Sequence, residues 1–366
     1  MQIAFNSSER ASLGVEMELA IVDRETGELT SAASELLEEL DHPKAKHELL
    51  ECCVEIITDV CSTVGEARAD LAATLASVRA AAGRRDLDLM CAGSHPFSDW
   101  AKQQISPDPR YHALVEEMQW TARRLQIFGI HVHVGVRSAQ KAISIANGLA
   151  GYIPHFLALS ASSPYWVGTD TGLASARSKV FEGLPTAGLP YQLNDWPEFE
   201  QFMTTLVCAN AIQTVREVWW DIRPHPNFGT IELRVCDGLP TLSEVAAVAA
   251  LSQCLVEWMD SLDDRGYTLP RYRDWVLREN KWRAARHGID AEIVTDEAGS
   301  CRPLREVIVE LVEELRPVAR KLGCEDELRH VLTVAERPSY QRQRAVVNGG
   351  GTVRDVVFGL VEELRS

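Results

Sequence analysis

The sequence predicts an α+β fold built on a largely antiparallel sheet, and three observations carry that expectation. Two-residue alternation of apolar side chains recurs at Ser12–Val22, Ile127–Arg137 and Thr230–Cys236, segments far apart in the chain. Stretches with helical spacing fall between them without the regular strand–helix–strand order that builds a parallel sheet. From Leu242 onward only helices are expected.

In chain order, Ser12–Val22 places Leu13, Val15, Met17, Leu19 and Ile21 on one strand face. Glu48–Thr58, β-branched and apolar with embedded acids, is expected as a second strand. Thr63-x-x-Glu66 forms a capping box, and Leu71, Leu75 and Val78 follow at helical spacing. A short strand over Leu87–Ala92 ends at Gly93, and Pro109–Leu125 carries a helical stripe. In Ile127–Arg137 the residues Phe128, Ile130, Val132, Val134 and Val136 face one way. A helix over Ala139–Ser160 should be disturbed at Pro154. Ser162–Pro190, rich in Gly, Pro, Ser and Thr, reads as a long loop, a feature that is usually functional in a compact domain. Helix is expected at Trp196–Leu206, strands at Val215–Ile222 and Thr230–Cys236. Helices at Leu242–Leu262, Asp274–His287, Leu304–Leu322 and Val353–Leu364 complete the chain. No repeat or low-complexity linker divides it, so residues 1–366 are expected to form a single domain.

Composition narrows the function. The 366 residues include 37 Lys+Arg against 53 Asp+Glu, a formal net charge of −16, so non-specific nucleic-acid binding is disfavoured. Anionic substrates would need local arginine, lysine or metal to hold them. Nine cysteines, an odd number without a C-x-x-C pair, read as reduced thiols used in the core. Met1–Arg10 is polar and has no signal-like apolar run. Val245–Met259, interrupted by Ser252, Gln253 and Glu257, reads as too short to span a bilayer. The expectation is a cytoplasmic protein with no membrane and no nucleic-acid partner, homo-oligomerisation being left open.

The ionisable residues share a pattern. Glu16 and Glu18 lie on one face of their strand, opposite apolar side chains; so do His131 and His133, and again Glu232 and Arg234. For any one strand a solvated face explains the pair. Three such strands in one sheet would converge into an acid- and imidazole-lined surface, and adjacent carboxylates repel unless a cation lies between them. Mainly oxygen ligands suit Mg²⁺ or Mn²⁺ better than Zn²⁺. Glu48, Glu51 and Glu55 supply further acids; Glu51 and Glu55 share a face, with Glu48 on the other unless a bulge reorients it. Arg177, Arg223 and Arg234 would complete a phosphoryl-transfer site, although Arg223 could instead pair with Asp221. Neither a P-loop nor a G-x-G-x-x-G motif is present. Ser94-His-Pro-Phe97 reads as a turn, Gly349-Gly-Gly351 as a turn before the last helix, and Trp219-Trp220 as core.

Gly14-Val-Glu-Met-Glu18, Gly93-Ser-His-Pro-Phe97, Gly129-Ile-His-Val-His-Val-Gly135, Ala158-Leu-Ser-Ala-Ser-Ser-Pro164, Gly168-Thr-Asp-Thr-Gly172, Trp220-Asp-Ile-Arg-Pro224 and Thr230-Ile-Glu-Leu-Arg-Val235 occur in this order. In that combination the chain resembles the type 2 glutamate–cysteine ligases, or carboxylate–amine ligases, over about residues 10–350. The resemblance implies a glutamine-synthetase-like fold, a curved, mainly antiparallel sheet with helices on its convex side. It implies ATP-dependent amide formation through an acyl phosphate, from a small-molecule carboxylate, by default γ-glutamyl, and an amine such as L-cysteine. Carried over by motif, Glu16, Glu18, Glu48, Glu55, His131 and Glu232 would hold Mg²⁺ or Mn²⁺, with Glu51 a further acid nearby. Arg177, Arg223 and Arg234 would bind phosphate or the donor carboxylate, and His133 would be a ligand or a nucleotide contact. Asn280, Arg283 and Arg286 resemble a family segment that would line the site. Other classes remain open: a phosphotransferase acting on a guanidino or amino group, a non-catalytic metabolite-binding relative, or a metal-dependent hydrolase.

Overall fold

The computed structural model describes residues 2–366. Its strands are β1 (Leu13–Asp23), β2 (Ala45–His47), β3 (Cys53–Ile57), β4 (Leu87–Met90), β5 (Ile130–Gly135), β6 (Tyr165–Trp166), β7 (Thr169–Asp170), β8 (Ile222–His225), β9 (Thr230–Leu233), β10 (Glu292–Val294) and β11 (Cys301–Pro303). The main sheet runs β2-β3-β1-β5-β9-β8, with β4 on the far end of β1, and every pairing in it is antiparallel. Ala20 pairs with Cys53 on one side and Met90 on the other, so β4 follows β5 along the same edge of β1.

The helices are α1 (Ala33–Leu40), α2 (Val64–Gly83), α3 (Pro109–Met118), α4 (Trp120–Arg123), α5 (Ala139–Leu149), α6 (Ile153–Ser160), α7 (Ala176–Phe181), α8 (Trp196–Cys208), α9 (Leu242–Asp264), α10 (Asp274–His287), α11 (Leu304–Leu322), α12 (Glu325–Glu336), α13 (Ser339–Asn348) and α14 (Val353–Arg365). Leu13, Val15, Met17, Leu19 and Ile21 of β1 face the main core together with Val54, Ile56, Val132, Ile231 and Leu233. Helices α2, α5 and α9 lie against the sheet, with α11 and α12 packed on α9. On the opposite face Ala20, Val22, Cys53 and Met90 meet Val356, Val357, Leu360 and Val361 of α14. Past that apolar end, the same face turns ionic at Glu18 and Glu16.

Several elements differ from expectation, each for a local reason. Glu48–Thr58 is not one strand, because Leu49, Leu50 and Cys52 turn aside to pack with Tyr111, Leu114 and Val115, and pairing with β1 begins at Cys53. Val215–Ile222 is not a strand either. Thr214 and Glu217 form a capping box that winds Val215–Glu217 into a 3₁₀ turn. The helix expected over Pro109–Leu125 breaks at Gln119, whose φ is 47°. Pro154 has no N–H to offer the Ala150 carbonyl, and Ala150–Tyr152 tightens to 3₁₀ there. The long loop contains the β6–β7 hairpin and α7. Helices α1, α12 and α13 were not foreseen.

Two helical stretches, Ala139–Ser160 and the 23-residue Leu242–Asp264, are long and apolar enough to cross a membrane, which corrects the expectation that the second is too short. Their most apolar windows are 83% and 78% buried in the protein, where they form the core. All nine cysteines are free and seven are buried.

Met17 is fully buried at the centre of the sheet's core face. Met17→Ala should lower the unfolding free energy by about 2–5 kcal/mol in chemical denaturation. A change below about 0.5 kcal/mol would show that this face is not the packed core.

Candidate active site

Antiparallel register assembles the site. Glu18 on β1 is opposite Glu55 on β3, and Glu16 is opposite His131 on β5. His133 is opposite Glu232 on β9, which is in turn opposite Arg223 on β8. Directly paired residues share a sheet face, so the paired groups recognised strand by strand form one continuous ladder. That face is not solvated: His131, His133 and Glu232 are buried, Glu232 at 1% exposure. It floors a cavity of about 330 Å³.

At the β8–β9 side the charges are balanced. Arg223 donates to Glu232 through Nε at 2.8 Å and Nη2 at 3.0 Å, and Arg234 donates to the same carboxylate. Burial opposes ionisation of Glu232, yet the two guanidinium groups hold its carboxyl far below the usual range. His131 Nδ1 is 2.8 Å from Glu16 Oε2, and His133 Nε2 is 3.3 Å from Glu16 Oε1. Burial likewise works against Glu16, and the hydrogen bond from His131 with the close approach of His133 keeps it well below the usual carboxylate range. Burial, followed by Arg234, pushes His131 down to about 4. Its neutral ring donates Nδ1–H to Glu16 and leaves the Nε2 lone pair free. Burial also opposes charge on His133, but Glu232 and Glu16 raise it.

At the β2–β3 side the charges are not balanced. Burial and then the Glu48 carboxylate push Glu18 up to about 8. Burial raises Glu48 as well, and burial with Glu16, Glu48 and Glu18 as neighbours raises Glu55 well above the usual range. Arg177 and Arg234 offset this only in part at Glu18. Glu18, Glu48 and Glu55 line one cavity, and such oxygen donors beside a neutral imidazole fit a hard divalent cation such as Mg²⁺ or Mn²⁺. Ligand atoms of Glu16, His131 and Glu232 lie within 4.8 Å of one another, a second place where a cation could be held. There the two guanidinium groups on Glu232 compete with it.

Glu48 reaches the cavity because the turn before β3 reorients it, whereas Glu51 leaves the site to bond the Ser34 hydroxyl at 2.7 Å. Arg223 is fully committed to the protein, since its Nη1 also reaches the carbonyls of Val215, Arg216 and Val218. Asp221 pairs with Lys281 at 2.6 Å instead of with Arg223. Arg177 lies over Gly129, where a Cβ would overlap its guanidinium, while Gly129 N–H donates to Glu18 Oε2 at 2.5 Å. Arg177 and Arg234 each keep a buried Nε–H without a protein acceptor. Asn280, Arg283 and Arg286 do not line the cavity: Asn280 clamps Val294, Arg283 bonds Glu279, and Arg286 holds Gly172 O.

Sequence reasoning missed Lys46, Arg110, Tyr111, Arg216, His225 and Phe228; Trp219 is buried, as expected, and also lines the cavity. His225 was within reach, since it stands two residues beyond Arg223 on the same strand; its ring stacks on Phe228 with centroids 4.2 Å apart. Arg110 comes from α3, and no strand alternation points to it.

The family model described as glutamate–cysteine ligase family 2 matches residues 12–357. The chain belongs to glutamate–cysteine ligase family 2. Relatives from Frankia alni and Thermobifida fusca, provisionally named glutamate–cysteine ligase 2-1 and glutamate–cysteine ligase 2, are 58% and 52% identical. Both alignments cover 100% of this chain, and 98% and 94% of the respective relatives. Among solved structures, glutamate–cysteine ligase from Francisella tularensis in complex with AMP superposes with a TM-score of 0.72 at 15% identity, covering 99% of this chain and 90% of that one. A bifunctional glutathione synthetase from Pasteurella multocida gives 0.71 at 14% identity, covering 96% of this chain and 52% of that one. The fold is therefore the glutamine-synthetase-like architecture that the motifs implied, and the enzyme class of this family-2 chain is an ATP-dependent ligase.

For this member of family 2, the raised carboxyl groups give a pH signature. Glu18 titrates at about 8 in the folded chain against an ordinary 4.5, so folding takes up a proton. Its contribution to stability is complete below the unfolded value and is lost as pH rises through about 8. If these carboxylates hold a divalent cation, it must bind their deprotonated form, so the rise in Tm on adding Mg²⁺ should be larger near about pH 8.5 than near about pH 5.5. Calorimetry giving equal rises at both pH values would remove these carboxylates from the cation site.

Proposed function

We propose that this chain joins a carboxylate to an amine at the ionic face of the sheet, activating the carboxylate as an acyl phosphate with ATP. The donor is γ-glutamyl and the acceptor a small amine such as L-cysteine. One observation carries the reading: a half-buried group of only partly compensated carboxylates, Glu18, Glu48 and Glu55, lines the same cavity as Arg177 and Arg234, whose Nε–H groups have no protein acceptor. Such a surface binds a cation and an anion side by side, as a metal–polyphosphate complex requires.

A free carboxylate is a poor acyl donor because its leaving group is oxide. Its attack on the γ-phosphorus of ATP expels ADP and installs phosphate as the leaving group, which the amine then displaces. When bound, Mg²⁺ or Mn²⁺ would neutralise charge on the phosphate oxygens, held by Glu18, Glu48 and Glu55 with Glu16 and His131 alongside. Arg234 and Arg177 orient the transferring phosphoryl group or the donor carboxylate. Arg223, saturated by its own neighbours, holds Glu232 in place, and Glu232 in turn aims Arg234. His133, between Glu16 and Glu232, lines the same cavity and would serve as a nucleotide contact.

Glutamate-dependent phosphate release from ATP, stimulated by one amine of a panel, is the expected activity. Hydroxylamine should intercept the acyl phosphate as a hydroxamate. Phosphate release or transfer without hydroxamate would favour phosphorylation of a guanidino or amino group instead. Glu16→Gln and Glu232→Gln should each lower kcat by on the order of a hundredfold or more with the fold retained. Arg234→Lys should be comparably severe, because an ammonium cannot reproduce the planar fork. Near wild-type rates in all three variants would place the chemistry elsewhere.

A further inference from the structure

We propose that Asp237 positions Arg177, and that it does so by fixing the direction of two serine hydroxyls. The proposal rests on the reading of Arg177 as an anion-binding residue of the ligase site.

Asp237 stands just beyond β9 and is completely buried. Its Oδ2 accepts from Ser162 N at 3.0 Å and from the Ser163 hydroxyl at 2.7 Å, and its Oδ1 accepts from the Ser175 hydroxyl at 2.8 Å. Gly93 makes room for it, since a Cβ there would overlap the carboxylate. A serine hydroxyl has one proton and two lone pairs. Once that proton points at Asp237, the oxygen can only accept. Ser163 Oγ accepts from Arg177 N at 3.0 Å, and Ser175 Oγ caps α7 by accepting from Ser178 N at 3.3 Å. Helix α7 is only six residues long, so these two bonds orient its first turn, from which Arg177 projects.

The same segment holds the other end of the side chain. Arg177 Nη1 donates to Val235 O at 3.3 Å and Nη2 to Arg234 O at 3.4 Å, while Gly129, which bridges to Asp237, leaves space beneath the guanidinium. Residues 234–237 thus grip Arg177 at its backbone and at its head, leaving Nε–H unpaired. An amide at position 237 cannot reproduce this. With its NH₂ in the Oδ1 place it donates to Ser175 and reverses that hydroxyl; in the Oδ2 place it meets the Ser162 N–H. Ser160–Ser163 and Ser175, a serine-rich part of the chain that no catalytic step uses, acquire a purpose in this scheme.

The test is a double-mutant cycle with a spectroscopic arm. Asp237→Asn should lower kcat/KM for ATP on the order of tenfold or more. In an Arg177→Gln background the same change should cost less than about twofold, because both substitutions remove one unit. Losses that multiply independently would overturn the proposal. In ¹⁵N-arginine spectra, the Nε–H resonance that disappears in Arg177→Gln should shift and exchange faster in Asp237→Asn. It should also do so in Ser163→Ala, which removes the hydroxyl bridging Asp237 to Arg177 N but keeps the bonds of Asp237 to Ser162 N and the Ser175 hydroxyl, and which serves both readouts where Asp237→Asn does not fold. An unchanged resonance overturns the proposal whatever the kinetics. If Arg177→Gln leaves turnover intact, the substrate-binding role of Arg177 fails, and the resonance still decides whether Asp237 positions it.

Discussion

The register between β1 and its two neighbours is the constraint on which the site depends. Side chains alternate along a strand, so a slip of one residue would carry Glu16 and Glu18 into the core and push Met17 and Leu19 out. Leu13, Val15, Met17, Leu19 and Ile21 of β1, buried under α2 and α9, make that slip prohibitive. Core packing thereby sets Glu18 against Glu55, Glu16 against His131, and His133 against Glu232. No loop needs to find its place for the ladder to form; the hydrophobic face of the sheet dictates the ionic one.

Electrostatically, the ladder is uneven by construction. Glu232 has two guanidinium partners and Glu16 two imidazoles, whereas Glu18 and Glu55 have other carboxylates as their strongest charged neighbours, and Glu48 keeps a raised pKa despite Arg234 and Arg110. Burying like charges without a partner is costly, and the groups respond by holding protons. A divalent cation held there would relieve that cost. Anion-binding capacity appears next door for the complementary reason: Arg177 and Arg234 retain donors that no protein group accepts. In a chain of net charge −16, the attraction for a polyphosphate has to be this local.

Much of this could be read in the sequence because it is written with period two. The Glu-x-Glu, His-x-His and Glu-x-Arg pairs each announce a strand with one ionic face, and the sheet joins those faces as expected. What escaped came from contacts between distant segments. Whether Glu48 or Glu51 points inward depends on Leu49, Leu50 and Cys52 packing under α3, which no local pattern encodes. For Arg223 the sequence leaves open phosphate binding or pairing with Asp221; no local pattern reveals that Glu232 and three carbonyls near the 3₁₀ turn at Val215–Glu217 take up its donors. Asn280, Arg283 and Arg286 matched a family segment and yet serve α10 and its neighbours, because resemblance locates a segment without saying which way its side chains turn.

The route of oxygen through the reaction tests the central claim most directly. Glutamate labelled with ¹⁸O in its γ-carboxylate would be turned over with ATP, Mg²⁺ and the stimulating amine, and the released phosphate examined by mass spectrometry. Activation as an acyl phosphate transfers one labelled oxygen to each phosphate formed. Phosphate released in step with amide formation but carrying no label would contradict the account, because the carboxylate would never have been phosphorylated.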